Sequence, residues 1–140
     1  TFLVAALKDP IGANLDRYQI IKGWMDGKGE LHERVYDVAW SGNRKVDPKT
    51  GKLASVGTTV DVANATWTNS IGSPELIAVW TDPEFDPASP ALYYVRVIEI
   101  PTPRWTTYDA VRNGLPLLDG VPATLQERAW TSPIWYTPAG

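Results

Sequence analysis

The sequence predicts an all-β, immunoglobulin-like sandwich of six or seven strands, followed by a C-terminal extension with a short helix and several tryptophans. Three observations predict it. Runs rich in Val, Ile, Tyr and Trp recur through residues 1–100, separated by the Gly, Pro, Asp and Asn clusters that punctuate strands. A length of 140 residues suits one domain of ordinary size. From Pro101 and Pro103 onward the strand pattern breaks, because proline fixes φ and withdraws a ladder donor. Residues 1–100 therefore read as the sandwich, and 101–140 as an extension packing on it or on a further domain.

Phe2 to Leu7 is the first apolar run, closed by Lys8-Asp9-Pro10-Ile11-Gly12. Asp16 to Met25 and Leu31 to Trp40 flank Asp26-Gly27-Lys28-Gly29, a tight-turn sequence, so 16–40 reads as one hairpin. Residues 41–56 carry Arg44, Lys45, Lys49 and Lys52 with Pro48 and Gly51, and read as an exposed loop. Thr58 to Trp67 is expected as a fourth strand, Glu75 to Thr81 as a fifth and Ala91 to Ile100 as a sixth.

The last two runs are apolar on both faces. Leu76-Ile77-Ala78-Val79-Trp80 has no polar residue, and Tyr93, Val95 and Val97 oppose Leu92, Tyr94, Ile98 and Ile100. Such strands need cover on both faces. A contiguous apolar patch is therefore expected, centred on the tail or on residues 91–100.

In the tail, Thr106 or Thr107 is expected to cap a helix through Asn113, with Asp109 near its positive end and Gly114 as its stop. The Thr124-x-x-Glu127 spacing matches a helical capping box. Ser132 to Thr137 reads as a final extended segment holding Trp135 and Tyr136.

Composition excludes several function classes. Thirteen basic residues against sixteen acidic ones leave a net charge of −3, which lacks the basic field that nucleic acid or an anionic membrane requires. No apolar run approaches the ~20 residues of a membrane span. Cysteine is absent and His32 is the single histidine, so thiolate chemistry and a multi-histidine metal centre are not available from this chain. Tyr36 stands where a zincin motif starting at His32 needs its second histidine. No catalytic residue, metal ligand or cofactor is expected in the chain itself. Its opening in a strand-like run without an initiator methionine reads as a piece of a longer protein. A lack of cysteine suits either side of a bacterial membrane, so a periplasmic or secreted location fits as well as a cytoplasmic one.

Seven tryptophans are many for this length. Trp24, Trp40, Trp67 and Trp80 fall in or at the ends of strand runs and are expected in the core. Trp105, Trp130 and Trp135 read as sheet cover or interface. Arg104 beside Trp105, and Arg128 near Trp130, invite cation–π contacts. With Tyr108, these residues (Arg104, Trp105, Tyr108, Arg128, Trp130, Trp135) are the candidates for ligand binding or a domain interface. The ligand reading is a stacking platform for carbohydrate. Asp82, Glu84 and Asp86 place three carboxylates in five residues, yet without EF-hand spacing they read as a Pro-bearing turn before a Ca²⁺ loop or an acid/base pair. Asp26, Glu30 and Glu33 read likewise as a solvated turn.

The segments Asp37-Val38-Ala39-Trp40-Ser41-Gly42, Val79-Trp80-Thr81-Asp82-Pro83-Glu84-Phe85-Asp86-Pro87 and Tyr94 to Thr106, with the ending Gln126 to Tyr136, resemble the C-terminal part of a bacterial family described only as domain of unknown function 3604. The resemblance spans essentially the whole chain. Members look like relatives of the polymerase-and-histidinol-phosphatase (PHP) superfamily, metal-dependent phosphoesterases whose ligands are histidines and acids early in the chain. None of those histidine-rich motifs occurs here. The resemblance implies an accessory domain that partners its own N-terminal catalytic domain, where any divalent metal resides. It transfers no catalytic residue. Thr131 to Trp135 resembles an ending that returns toward the catalytic barrel in related superfamily members.

Overall fold

The computed structural model describes residues 1–138. Five long strands carry the fold: β1 (Phe2–Leu7), β2 (Leu15–Met25), β3 (Leu31–Trp40), β4 (Glu75–Trp80) and β5 (Ala91–Glu99). After β5 come a two-residue strand β6 (Thr102–Pro103), the helix α1 (Trp105–Asn113), and the short strands β7 (Thr124–Leu125), β8 (Arg128–Trp130) and β9 (Ile134–Tyr136).

Seven strands build the two sandwich layers, as the sequence predicts. One layer is the antiparallel pair β1-β4, and the other has five strands in the order β3-β2-β5, with β8 and β9 both pairing with the far edge of β5. β6 and β7 form a separate ribbon. Alternate residues explain the packing. Val4, Ala6, Leu76 and Ala78 of the smaller layer meet Tyr18, Val38, Val95 and Val97 of the larger, while Phe2 and Trp80 meet Ile20, Ala91 and Tyr93. The hidden hydroxyl of Tyr18 donates to the Val4 carbonyl at 2.7 Å, so the phenol spans the layers without leaving a polar atom unpaired.

The predicted fourth strand is not formed. Within residues 58–67 only one bridge, Asp61↔Thr66, occurs. The Asp61 side chain accepts from the N–H groups of Ala63 and Asn64 and from the Asn64 amide, and Ala65 takes a φ of 49°. Local side-chain hydrogen bonds thus win over an extended ladder. The seven strands include β8 and β9 from the tail in its place.

Two further expectations are corrected in the tail. The helix starts two residues earlier than a Thr106 cap allows, and three earlier than a Thr107 cap, with Arg104 at the N-cap position and no side-chain cap, and its first turn contains no acid. Thr107 Oγ1 instead donates to the Ala123 carbonyl at 2.7 Å, tying the helix to the β7 segment. Gly114 does end the helix in a left-handed conformation, φ 62°. The Thr124-to-Glu127 box forms no helix: Thr124 and Leu125 pair with Pro103 and Thr102. Four matching residues carry too little local energy to nucleate a helix against an available strand partner.

The tryptophans expected in the core sit at its rims. Trp24, Trp40, Trp67 and Trp80 are half-buried, and the fully buried large side chains are Tyr18, Ile20, Ile21 and Ile100. Each of two rim indoles satisfies its N–H from outside the core, Trp40 on the Arg44 carbonyl at 2.9 Å and Trp67 on the Tyr108 hydroxyl at 3.2 Å. A wide ring with one polar atom fits a rim, where one edge packs and the other finds a partner.

Candidate functional site

The larger layer buries charges that its apolar pattern does not announce. Lys22 sits inside β2, and its ammonium lies 2.6 Å from Asp82 Oδ2 with both side chains about 5% exposed or less. It also donates to the Glu84 carbonyl at 2.7 Å. Tyr93 of β5 donates to Asp82 Oδ2 at 2.7 Å, and the Glu84 N–H donates to Oδ1 at 2.9 Å. Burial by itself raises the pKa of Asp82, but the bonds from Lys22, Tyr93 and that N–H outweigh it and hold the carboxyl below 3.8. Glu84, at the solvent side, accepts from Tyr36 at 2.8 Å and pairs with Arg34. Burial and then the Glu84 carboxylate push Tyr36 up to about 12. Every carboxylate here is committed to protein donors. The cluster locks the 82–87 loop onto β2 and β5, and no free base or nucleophile remains in it.

A second buried centre ties the tail down. The Asp16 carboxylate is 1% exposed and lies 2.7 Å from Arg17, 2.7 Å from Arg44 and 2.9 Å from the Gln126 amide, which also donates to the Glu99 carbonyl at 2.7 Å. Arg44 is therefore a partly buried clamp on a buried carboxylate, although its sequence neighbourhood reads as a solvated loop. Both centres escaped sequence reasoning. The available signal is charge inside a strand that the topology places at the centre of the larger layer, Asp16 and Lys22 in β2.

The hairpin tip brings ligand atoms of Asp26, Glu30 and His32 within 4.8 Å of one another. Asp26 is already taken: Oδ1 accepts from the Lys28 and Glu30 N–H groups, and Oδ2 contacts His32 Nε2 at 2.9 Å. These bonds, His32 first, depress the Asp26 pKa.

The six candidate residues fall into two groups. Arg104, Trp105 and Tyr108 belong to the start of α1. Arg128, Trp130 and Trp135 share the outer face of the five-stranded layer, opposite Ile98, Arg96 and Leu92. Trp105, Trp130 and Trp135 are 58–71% exposed. The expected pairs Arg104–Trp105 and Arg128–Trp130 are absent from the cation–π contacts of the described residues, which instead place Lys22 over Trp24 and Tyr93, and Arg112 over Tyr108. Arg128 and Trp130 both project outward from a short strand, and water solvates the guanidinium better than an exposed ring edge does. Because these indoles bury little, Trp105→Ala is expected to shift unfolding free energy by less than about 1 kcal/mol in urea titration.

Exposed apolar side chains gather in two places, the tail, with Trp105, Leu115, Leu118, Ile134 and Trp135, where the sequence reading expected them, and the outer face of the smaller layer, where it did not. Residues 91–100 are all buried or half-buried, so the patch is not centred there. The outer face of β1-β4 instead presents Leu3, Leu7, Ile77 and Val79, each 58–76% exposed, with Leu3 directly opposite Val79. Among the described residues nothing covers the outer face of the doubly apolar β4, where Ile77 and Val79 stay exposed.

The sequence profile of the family described as protein of unknown function (DUF3604) matches residues 1–138. The chain belongs to that family. The match covers both sandwich layers and the extension of this DUF3604 chain together. No curated protein and no solved structure matches it. Among the described residues no helix is long and apolar enough to cross a membrane.

Proposed function

We propose that this DUF3604 chain is a non-catalytic C-terminal accessory domain of a larger bacterial protein related to PHP-type metal-dependent hydrolases. Its partner in this reading is its own N-terminal catalytic domain, which holds the divalent metal. The observation that carries the reading is the uncovered face of Leu3, Leu7, Ile77 and Val79. Burying a side chain of this size is worth roughly 1.5–3 kcal/mol, so four on one flat face reward a covering surface. The Lys22–Asp82 centre adds support, since its ammonium and carboxylate are bonded to one another and to Tyr93 and the Glu84 backbone.

Hydrogen exchange in the full-length protein tests this. Ile77 and Val79 amides are expected to exchange more slowly there than in the 140-residue chain, and Leu3→Asp with Ile77→Asp is expected to lower the melting temperature of the full-length protein. Equal exchange in both contexts, or metal-dependent hydrolysis by the 140-residue chain alone, overturns the reading.

The exposed Trp130 and Trp135 favour one alternative, a carbohydrate-binding module. It predicts glycan-array binding by the isolated chain that Trp135→Ala abolishes; silence on the array removes it.

A further inference from the structure

The two layers are unequal, and the mismatch leaves a lateral opening. A five-stranded layer faces a two-stranded one, and along the free edge of β1 runs a cleft of about 280 Å³. Its floor is Tyr93, Val95 and Val97, its far wall the tail segment around Ser132 and Ile134, and its near wall β1 itself.

The backbone of β1 points into that opening. The Lys8 N–H bonds the Pro74 carbonyl at 3.0 Å, which makes Lys8↔Pro74 a hydrogen-bonded pair of the β1-β4 ladder. Pairing alternates along an antiparallel ladder, so Phe2, Val4 and Ala6 bond β4, and Leu3, Ala5 and Leu7 turn their N–H and C=O groups to the free edge. Those three residues have no hydrogen-bond partner beyond the ladder among the described residues.

Strand edges are normally blunted by charge, proline or a bulge. The outer edge of β3 follows that rule, with His32, Glu33, Arg34 and Asp37 along it. β1 reads Phe-Leu-Val-Ala-Ala-Leu and has none of these devices. Its alternating row of donors and acceptors is complementary to one kind of group, another extended backbone.

We propose that the β1 edge is a strand-acceptor site, taking an extended segment of a partner polypeptide antiparallel to β1, with small or β-branched apolar side chains at alternate positions filling the cleft. Main-chain bonds to Leu3, Ala5 and Leu7 supply the recognition, and the cleft selects the inward side chains. A second copy of this chain fits less well. Two-fold pairing sets Ala5 against Ala5 and Leu3 against Leu7, but Phe2, Val4 and Ala6 of each copy already point into their own core and leave the cleft unfilled. The site is distinct from the outer β1-β4 face of the accessory reading, since it uses the edge rather than the broad side of β1.

The probe is the peptide acetyl-Val-Thr-Val-Lys-Val-Thr-Val-amide, added to the 140-residue chain, with amide exchange followed by NMR. Saturating peptide is expected to slow exchange at Leu3, Ala5 and Leu7 about tenfold or more, leaving β3 amides unchanged. The same peptide N-methylated at its Thr and Lys positions lacks the edge-facing donors and is expected to have no effect. Ala5→Pro removes one acceptor-site N–H that β4 does not use; it is expected to fold, since edge strands tolerate such a proline, and to lose the peptide effect. Absence of protection at about 1 mM peptide, or protection that survives N-methylation, overturns the proposal. Protection that rises with protein concentration without peptide overturns it in favour of a second copy. The N-methylated peptide keeps the outcome decisive if Ala5→Pro fails to fold. Failure here leaves the full-length exchange experiment on Ile77 and Val79 untouched, so the two readings fail separately.

Discussion

Asp82→Ala is expected to destabilise the chain by about 3–5 kcal/mol, the cost of leaving a buried charge without its partner. The substitution strands the Lys22 ammonium, which is 5% exposed, and removes the acceptor of the Tyr93 hydroxyl. In a domain of this length the loss is about 10–20 °C in melting temperature. Lys22→Met combined with Asp82→Leu is expected to recover much of it, because replacing both members of a buried pair by apolar groups removes the desolvation cost along with the attraction. The same carboxyl sets a pH dependence. Its folded pKa lies below 3.8, so the folded state holds the charged form more tightly than the unfolded chain does. The stabilisation is therefore fully present at neutral pH and is lost as pH falls through and below the unfolded value near 3.8. Urea titrations from pH 7 to pH 3 are expected to show a steeper acid loss in the wild type than in the double variant; parallel curves contradict the assignment.

Gly72→Ala is expected to cost about 2–5 kcal/mol, combining a left-handed backbone penalty with overpacking of a core position. Gly72 has φ 79°, and an added Cβ meets Asn14 Cβ at 2.6 Å and Ile100 Cγ2 at 2.7 Å. Neither neighbour has room to move: Ile100 is fully buried, and Asn14 donates through its side-chain amide to the carbonyls of Asn69 and Ile71. The next residue, Ser73, exchanges both backbone bonds with Leu15 at 2.8 and 2.9 Å. Gly72 is thus the point where the long 41–74 excursion returns to β2. Gly29→Ala is the control. Gly29 has φ 84° but open space around its added Cβ, so it keeps only the backbone penalty of about 1–2 kcal/mol. Thermal melts of the two variants separate steric from conformational cost, and equal shifts refute the packing argument.

The five long strands were readable from the sequence because local signals agree along each of them. The run Phe2 to Leu7, the hairpin around Asp26-Gly27-Lys28-Gly29 and the stop at Gly114 need only period, turn chemistry and a positive φ, all set within a few residues. The resemblance carried by Val79 to Pro87 and Tyr94 to Thr106 likewise needed only the chain itself, and the family match over residues 1–138 agrees with it. Thr58 to Trp67 failed as a strand because Asp61 offers a local alternative that a run of β-branched residues does not reveal.

Sequence alone determined that this chain is a mostly β domain, low in basic charge, with no cysteine and a single histidine. Tertiary structure alone decided which charges are buried, which tryptophans stand in water and which apolar face and strand edge stay open. The physical reason is range. Lys22 finds the Glu84 carbonyl 62 residues away and Asp16 finds Gln126 110 residues away, and no periodicity within a strand encodes such a partner. A strand that is apolar on both faces says that cover is needed; only the opposing layer shows which face receives it.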